Sequence, residues 1–125
     1  MRLFRFDAAL GRDITQFGSH DAVMVGIQRG EGAFQLGCLH LGAGGVLGRH
    51  PAGTRQLLLV VAGEGWVSAG GDRRQITVGQ AAYWEPGEEH ETTTDGGLTA
   101  FILESDTLEP TQRLREIEHD EPAAR

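Results

Sequence analysis

The sequence predicts an all-β domain, a sandwich or closed barrel, and three observations carry that reading. Nineteen glycines divide the 125 residues into short apolar segments. Those segments recur at intervals of roughly 8–12 residues, the spacing of antiparallel sandwiches and barrels. One of them, residues 56–62 with Leu57-Leu58-Leu59-Val60-Val61, is apolar on both faces, as a strand at the centre of a sheet must be. The length suits one domain, since two cores of this size would each bury too little surface.

Taken in order, residues 2–6 alternate Leu3 with Phe4 and Phe6 and read as an edge strand. Residues 21–27 carry Ala22-Val23-Met24-Val25, and residues 33–41 set Phe34, Leu36, Cys38 and His40 on one face. A short strand at 44–49 leads to His50. The strong strand at 56–62 follows, and Gly63-Glu64-Gly65 is expected to turn the chain back into Trp66-Val67-Ser68-Ala69. Gly70-Gly71-Asp72 reads as a hairpin turn, because glycine reaches positive φ without strain. Strands are then expected at 74–78, 80–84, 90–94 and, after Asp95-Gly96-Gly97, at 98–103, for nine or ten in all. The one helical pattern is at 111–119, where Leu114 and Ile117 form a thin apolar stripe. Residues 106–110 read as a linker and 120–125 as disordered tail, which divides the chain into a barrel at 1–104 and an acidic tail at 105–125.

The net charge of −7 argues against nucleic-acid binding, which needs clustered Lys and Arg. All eleven basic residues are arginine, so lysine Schiff-base chemistry is excluded. No apolar run is long enough to cross a membrane, and the first residues lack a secretory apolar core, so membrane partners are not expected. Cys38 is the only cysteine, which rules out an internal disulfide, fits a reducing, cytoplasmic setting, and reads as a small buried hydrophobe. Phosphate-loop, nucleophile-elbow and zinc-protease signatures are all missing.

Two glycine-framed segments carry the chemistry. The first holds Gly44, His50, Ala52, Gln56 and Gly63; the second holds Gly79, Glu85, Gly87, His90 and Thr94. Their spacing resembles the paired motifs of the cupin superfamily over about residues 30–104. That resemblance implies a double-stranded β-helix, the jelly-roll barrel, with both histidines turned into one pocket. The family's usual ligand set is three histidines and a glutamate. Ala52 and Gln56 replace one histidine and the glutamate here, so the implied site keeps half of that set.

The resemblance assigns ligand binding to His50, Gln56 and His90, to which Trp84 is added as an aromatic lining residue, and metal binding, where it occurs, to His50, Gln56 and His90. Such an ion would be a weakly held divalent transition metal: zinc, nickel, iron or manganese. Glu88 and Glu89 are the nearest candidates for a missing carboxylate. The expected function is binding of a small organic ligand or of that ion. The alternative is a cupin-type isomerase, epimerase, cyclase or metal-dependent oxygenase that uses His50 and His90 as acid, base or ligands. Without a ligand, the two histidines would instead be hydrogen-bonded core residues, with an imidazole donating to Gln56. His40 reads as a core histidine, and His20 and His119 as surface residues. Trp66, Tyr83 and Trp84 read as pocket lining or as packing. A homodimer is expected, formed through sheet edges and an exchanged strand carrying Leu3-Phe4-Arg5-Phe6.

Overall fold

The computed structural model describes residues 1–13, 15–16, 19, 21–28 and 32–118, with Met24 described by its backbone alone. Eleven strands run in chain order among them: β1 (Arg2–Arg5), β2 (Arg12–Asp13), β3 (Val23–Met24), β4 (Gln35–Leu41), β5 (Val46–Pro51), β6 (Gln56–Ala69), β7 (Asp72–Thr77), β8 (Gln80–Trp84), β9 (Glu89–Thr93), β10 (Leu98–Glu104) and β11 (Arg115–Ile117). Nine of these form one antiparallel system, and β2 and β3 pair separately. One wall runs β11-β1-β8-β6-β10-β4. The other is built from β7, β6, β9 and β5.

Strand β6 belongs to both walls because it does not turn at Gly63-Glu64-Gly65. It runs unbroken for 14 residues. The expected turn is replaced by a bulge: Ala100 pairs with Val60 and Thr99 with Ala62, leaving Val61 without an opposite residue. The extra residue switches parity. Leu58 and Val60 face the interior before it, and Val67 and Ala69 after it. The approach is close at this crossing. Gly63 has φ +78°, and a Cβ there would sit 2.1 Å from the Gly97 carbonyl oxygen; a Cβ on Gly65 would sit 2.2 Å from that of Thr93. Only glycine fits either position.

Two buried clusters result. The barrel interior holds Leu58, Val60, Val67, Ile76, Trp84 and Leu98 among others. A second cluster, with Phe4, Leu57, Tyr83, Leu108 and Leu114, lies on the opposite face of the β6–β8 wall. Strand β1 is an inner strand, not the expected edge, because β11 pairs along its free side, with Leu3 opposite Ile117. The helix expected over 111–119 is not formed among the described residues. Residues Pro110–Gln112 make a single 3-10 turn, and the chain then extends into β11. Packing decides this: Leu114 and Ile117 are buried in different clusters, which the one narrow stripe of a helix could not reach together. His20, His119 and the tail at 120–125 lie outside the described residues.

Candidate functional site

Strands β5 and β9 pair Leu47 with Thr92 and His50 with His90, so β5 carries one residue more than β9 between those pairs. This bulge puts Leu47 and His50 on one face although an odd number of steps separates them. His50 therefore turns toward the same side as His90. The two rings lie 4.4 Å apart, tilted by 55°. His90 is 1% exposed and His50 is half-buried.

Trp84 reaches the histidines from the other wall. Its ring stacks on His90 at 4.4 Å and 26°, and it is fully buried. Gln56 lies directly across from Trp84 on β6 and is also buried. The structure thus gathers His50, His90 and Trp84 in ring contact, with Gln56 beside Trp84 on the strand pair. No hydrogen bond joins Gln56 to either imidazole among the described residues, so the expected imidazole–amide bond is not formed.

Both imidazoles are oriented by backbone. His50 Nδ1 donates to the Gly48 carbonyl at 2.6 Å, and His90 Nδ1 to the Glu88 carbonyl at 3.1 Å. A carbonyl can only accept, so Nδ1 carries the proton in each ring and Nε2 keeps its lone pair when the ring is neutral. Burial pushes the His90 pKa below the ordinary histidine value, and the neighbouring His50 pushes it the same way. His90 Nε2, Trp84 Nε1 and Thr92 Oγ1 are all buried without a partner. One acceptor, one donor and one hydroxyl are thus left unsatisfied and shut off from solvent.

No carboxylate joins them. Glu88 accepts from the Glu85 N–H at 3.0 Å and from the Met1 amino group at 2.6 Å, while Glu89 forms an exposed ion pair with Arg49 at 2.9 Å. Among the described residues, no three His, Cys, Asp or Glu side chains converge as metal ligands. Two imidazoles and a neutral amide supply no anionic donor, so they do not fit a tightly held divalent cofactor, and oxygen-activating iron in particular takes a carboxylate among its ligands.

The remaining candidates separate by face. Tyr83 points to the outer cluster and donates to Glu85 at 3.2 Å; desolvation, reinforced by Glu85, raises its pKa to about 12. Trp66 lies under the Arg73 guanidinium at 4.0 Å. His40 and Cys38 do share a face, but it is the exposed one, with Cys38 Sγ 3.5 Å from His40 Nε2. The core histidine and the buried cysteine expected there are both corrected: β4 is the terminal strand of its wall, and among the described residues this face is exposed at Cys38 and His40. Thr92 was legible only as strand sequence; its place two residues after His90 on β9 puts it on the same face of that strand. A polar cleft of about 340 Å³, lined by Arg49, Ser68, Arg73 and Glu91, also reaches His90.

The sequence pattern of the AraC-like ligand binding domain matches residues 38–123, more than half of the chain. The chain belongs to that family. This AraC-like ligand binding domain shares its fold with solved cupins. A cupin superfamily protein from Desulfitobacterium hafniense DCB-2 aligns with TM-score 0.56 at 10% identity, covering 69% of this chain and 79% of that one. A cupin-2 domain containing protein from Shewanella frigidimarina gives 0.53 at 15%, covering 70% and 83%. A cupin-like protein from Thermotoga maritima gives 0.56 at 19%, covering 59% and 58%. These likenesses are of fold, and the jelly-roll they share is the one described above. No curated protein matches the chain.

Proposed function

We propose that the barrel site binds a small, uncharged polar organic molecule. The reading is carried by three unpartnered buried atoms: His90 Nε2 and Trp84 Nε1 in the ring cluster, and Thr92 Oγ1 two residues after His90 on β9. A buried polar group without a partner costs about 1–3 kcal/mol, which a ligand offering both donors and acceptors recovers on binding. The neutral His90 ring asks for a donor, and the three unpartnered atoms are themselves uncharged, which favours an uncharged ligand at the rings. Gln56 and His50 complete the proposed ligand-binding set, and the family's own description as a ligand binding domain supports it.

The test is a thermal-shift and fluorescence titration against neutral polyols and amides beside matched carboxylates. A saturable response to a neutral compound, lost in His50→Ala and His90→Ala, is expected. Binding that survives both substitutions would sink the reading.

A divalent ion held by His50, Gln56 and His90 is the second reading, supported by the two free Nε2 lone pairs. With no third imidazole or carboxylate it would exchange readily, and elemental analysis after dialysis should find well under one equivalent. Acid–base turnover is the alternative use of the same pair, with the backbone oxygens of Gly48 and Glu88 orienting the two rings through Nδ1. We further propose a homodimer formed through β4, the terminal strand of its wall, and a reducing, cytoplasmic setting consistent with the exposed single thiol.

A further inference from the structure

Outside the barrel, two depressions meet along the segment that holds Val25 and Gln28, residues that line both. One is an apolar trough of about 450 Å³, walled by Phe6, Ile27, Leu36, Leu59, Val61 and Phe101. Leu36 is 58% exposed, Phe101 42% and Val61 39%. Contiguous apolar surface of this kind on a soluble domain marks a binding surface. The other depression, of about 850 Å³, is lined by Arg12, Arg113 and Gln112.

The two arginines differ from most of the other described arginines. Arg2, Arg5 and Arg49 form ion pairs with Glu116, Asp7 and Glu89, and Arg55 lies 3.9 Å from Glu109. Arg73 stacks on Trp66, and Arg74 donates to the Glu118 carbonyl. Arg12 and Arg113 have no acidic partner among the described residues, in a chain with 18 acidic residues and a net charge of −7. They come from distant parts of the chain and face one cleft. Arg113 packs against Gly26, so closely that a Cβ there would meet Nη1 at 2.8 Å. Gln28 ties the two segments together, its Oε1 accepting the Glu109 N–H at 3.2 Å.

We propose that this continuous groove binds a small amphipathic anion, with an apolar chain in the trough and a carboxylate between Arg12 and Arg113. The charge complementarity selects the head group, because paired guanidinium donors match the two oxygens of a carboxylate. The trough selects the tail. The site is independent of the barrel reading, shares none of its residues, and stands or falls separately.

The test is calorimetric titration of the full chain with decanoate, and with decanol and acetate, each of which lacks one half of the proposed ligand. Saturable 1:1 binding of decanoate is expected, with decanol and acetate at least about tenfold weaker. Arg12→Gln and Arg113→Gln should each weaken decanoate about tenfold, and Phe101→Glu should abolish binding while leaving both arginines intact. His90→Ala should leave it unchanged. Equal affinity for decanol, wild-type affinity in both arginine variants, or loss on His90→Ala would each overturn the proposal. So would an absence of decanoate binding, including one caused by a second copy covering the trough.

Discussion

His90 takes its character from what surrounds it. Burial and the adjacent His50 lower its pKa from 6.5 in the folded chain. The unfolded chain therefore binds a proton more readily than the folded one once the pH falls below that value. Stability from this residue is fully present above pH 6.5 and is lost as the pH falls through the folded-state value. Urea melts should show a falling midpoint over that window, and the fall should shrink in His90→Gln. Thr92 offers a second residue-level prediction. Its hydroxyl is buried without a partner, so Thr92→Val keeps the shape and removes the orphan. Stability should rise by about 1 kcal/mol in the same melts, while affinity for the barrel ligand falls. Unchanged stability would mean that the hydroxyl is satisfied by water.

At the scale of elements, two bulges do the positioning. The one in β6 at Val61 lets a single strand serve both walls, and the one in β5 between Leu47 and His50 turns His50 toward His90. Deleting Gly48 from the second should reverse the parity, expose the His50 ring, and remove its protection of His90 from solvent exchange by NMR. The crossing of β6 over β9 and the Gly97 turn is as demanding. Gly65→Ala would drive a methyl into the Thr93 carbonyl oxygen at 2.2 Å, backbone against backbone. A loss of at least about 2–3 kcal/mol is expected by chemical denaturation, and a change under half of that would mean the strands can part without cost. The glycines of the two motifs were visible in the sequence, but the reason for Gly63 was not. It was expected to turn the chain, and it instead lets the strand pass close to Gly97.

For the whole molecule, strand order decides what is open. Strand β1 is enclosed between β8 and β11, which leaves β4 as the terminal strand on its side of the wall. Strand exchange of Leu3-Phe4-Arg5-Phe6 would have to break pairings already made within the chain. The proposed dimer through β4 should appear in light scattering at micromolar concentration and be disrupted by Leu39→Pro, which removes a ladder donor; a monomeric wild type would refute it. Ile117→Asp tests the opposite end. It sets a charge in the interior cluster opposite Leu3 and should cost roughly 3 kcal/mol or more, read as a lower midpoint with an unchanged barrel-ligand pattern.

The all-β class and the central strand at 56–62 could be read from the residues alone, because glycine spacing and apolar runs are local properties. The nearness of His50 to His90 was implied instead by the resemblance to the cupin motifs. Gln56 and Ala52 likewise announced a reduced ligand set. The tertiary structure decided the rest. Which face of β4 was covered, whether 111–119 coiled or extended, and which polar atoms were left unpartnered all depend on what packs across from them. His50 and His90 were legible as neighbours through that resemblance. That their Nδ1 atoms are tied to the Gly48 and Glu88 carbonyls, leaving Nε2 with the lone pair, follows from backbone positions that no side-chain pattern encodes.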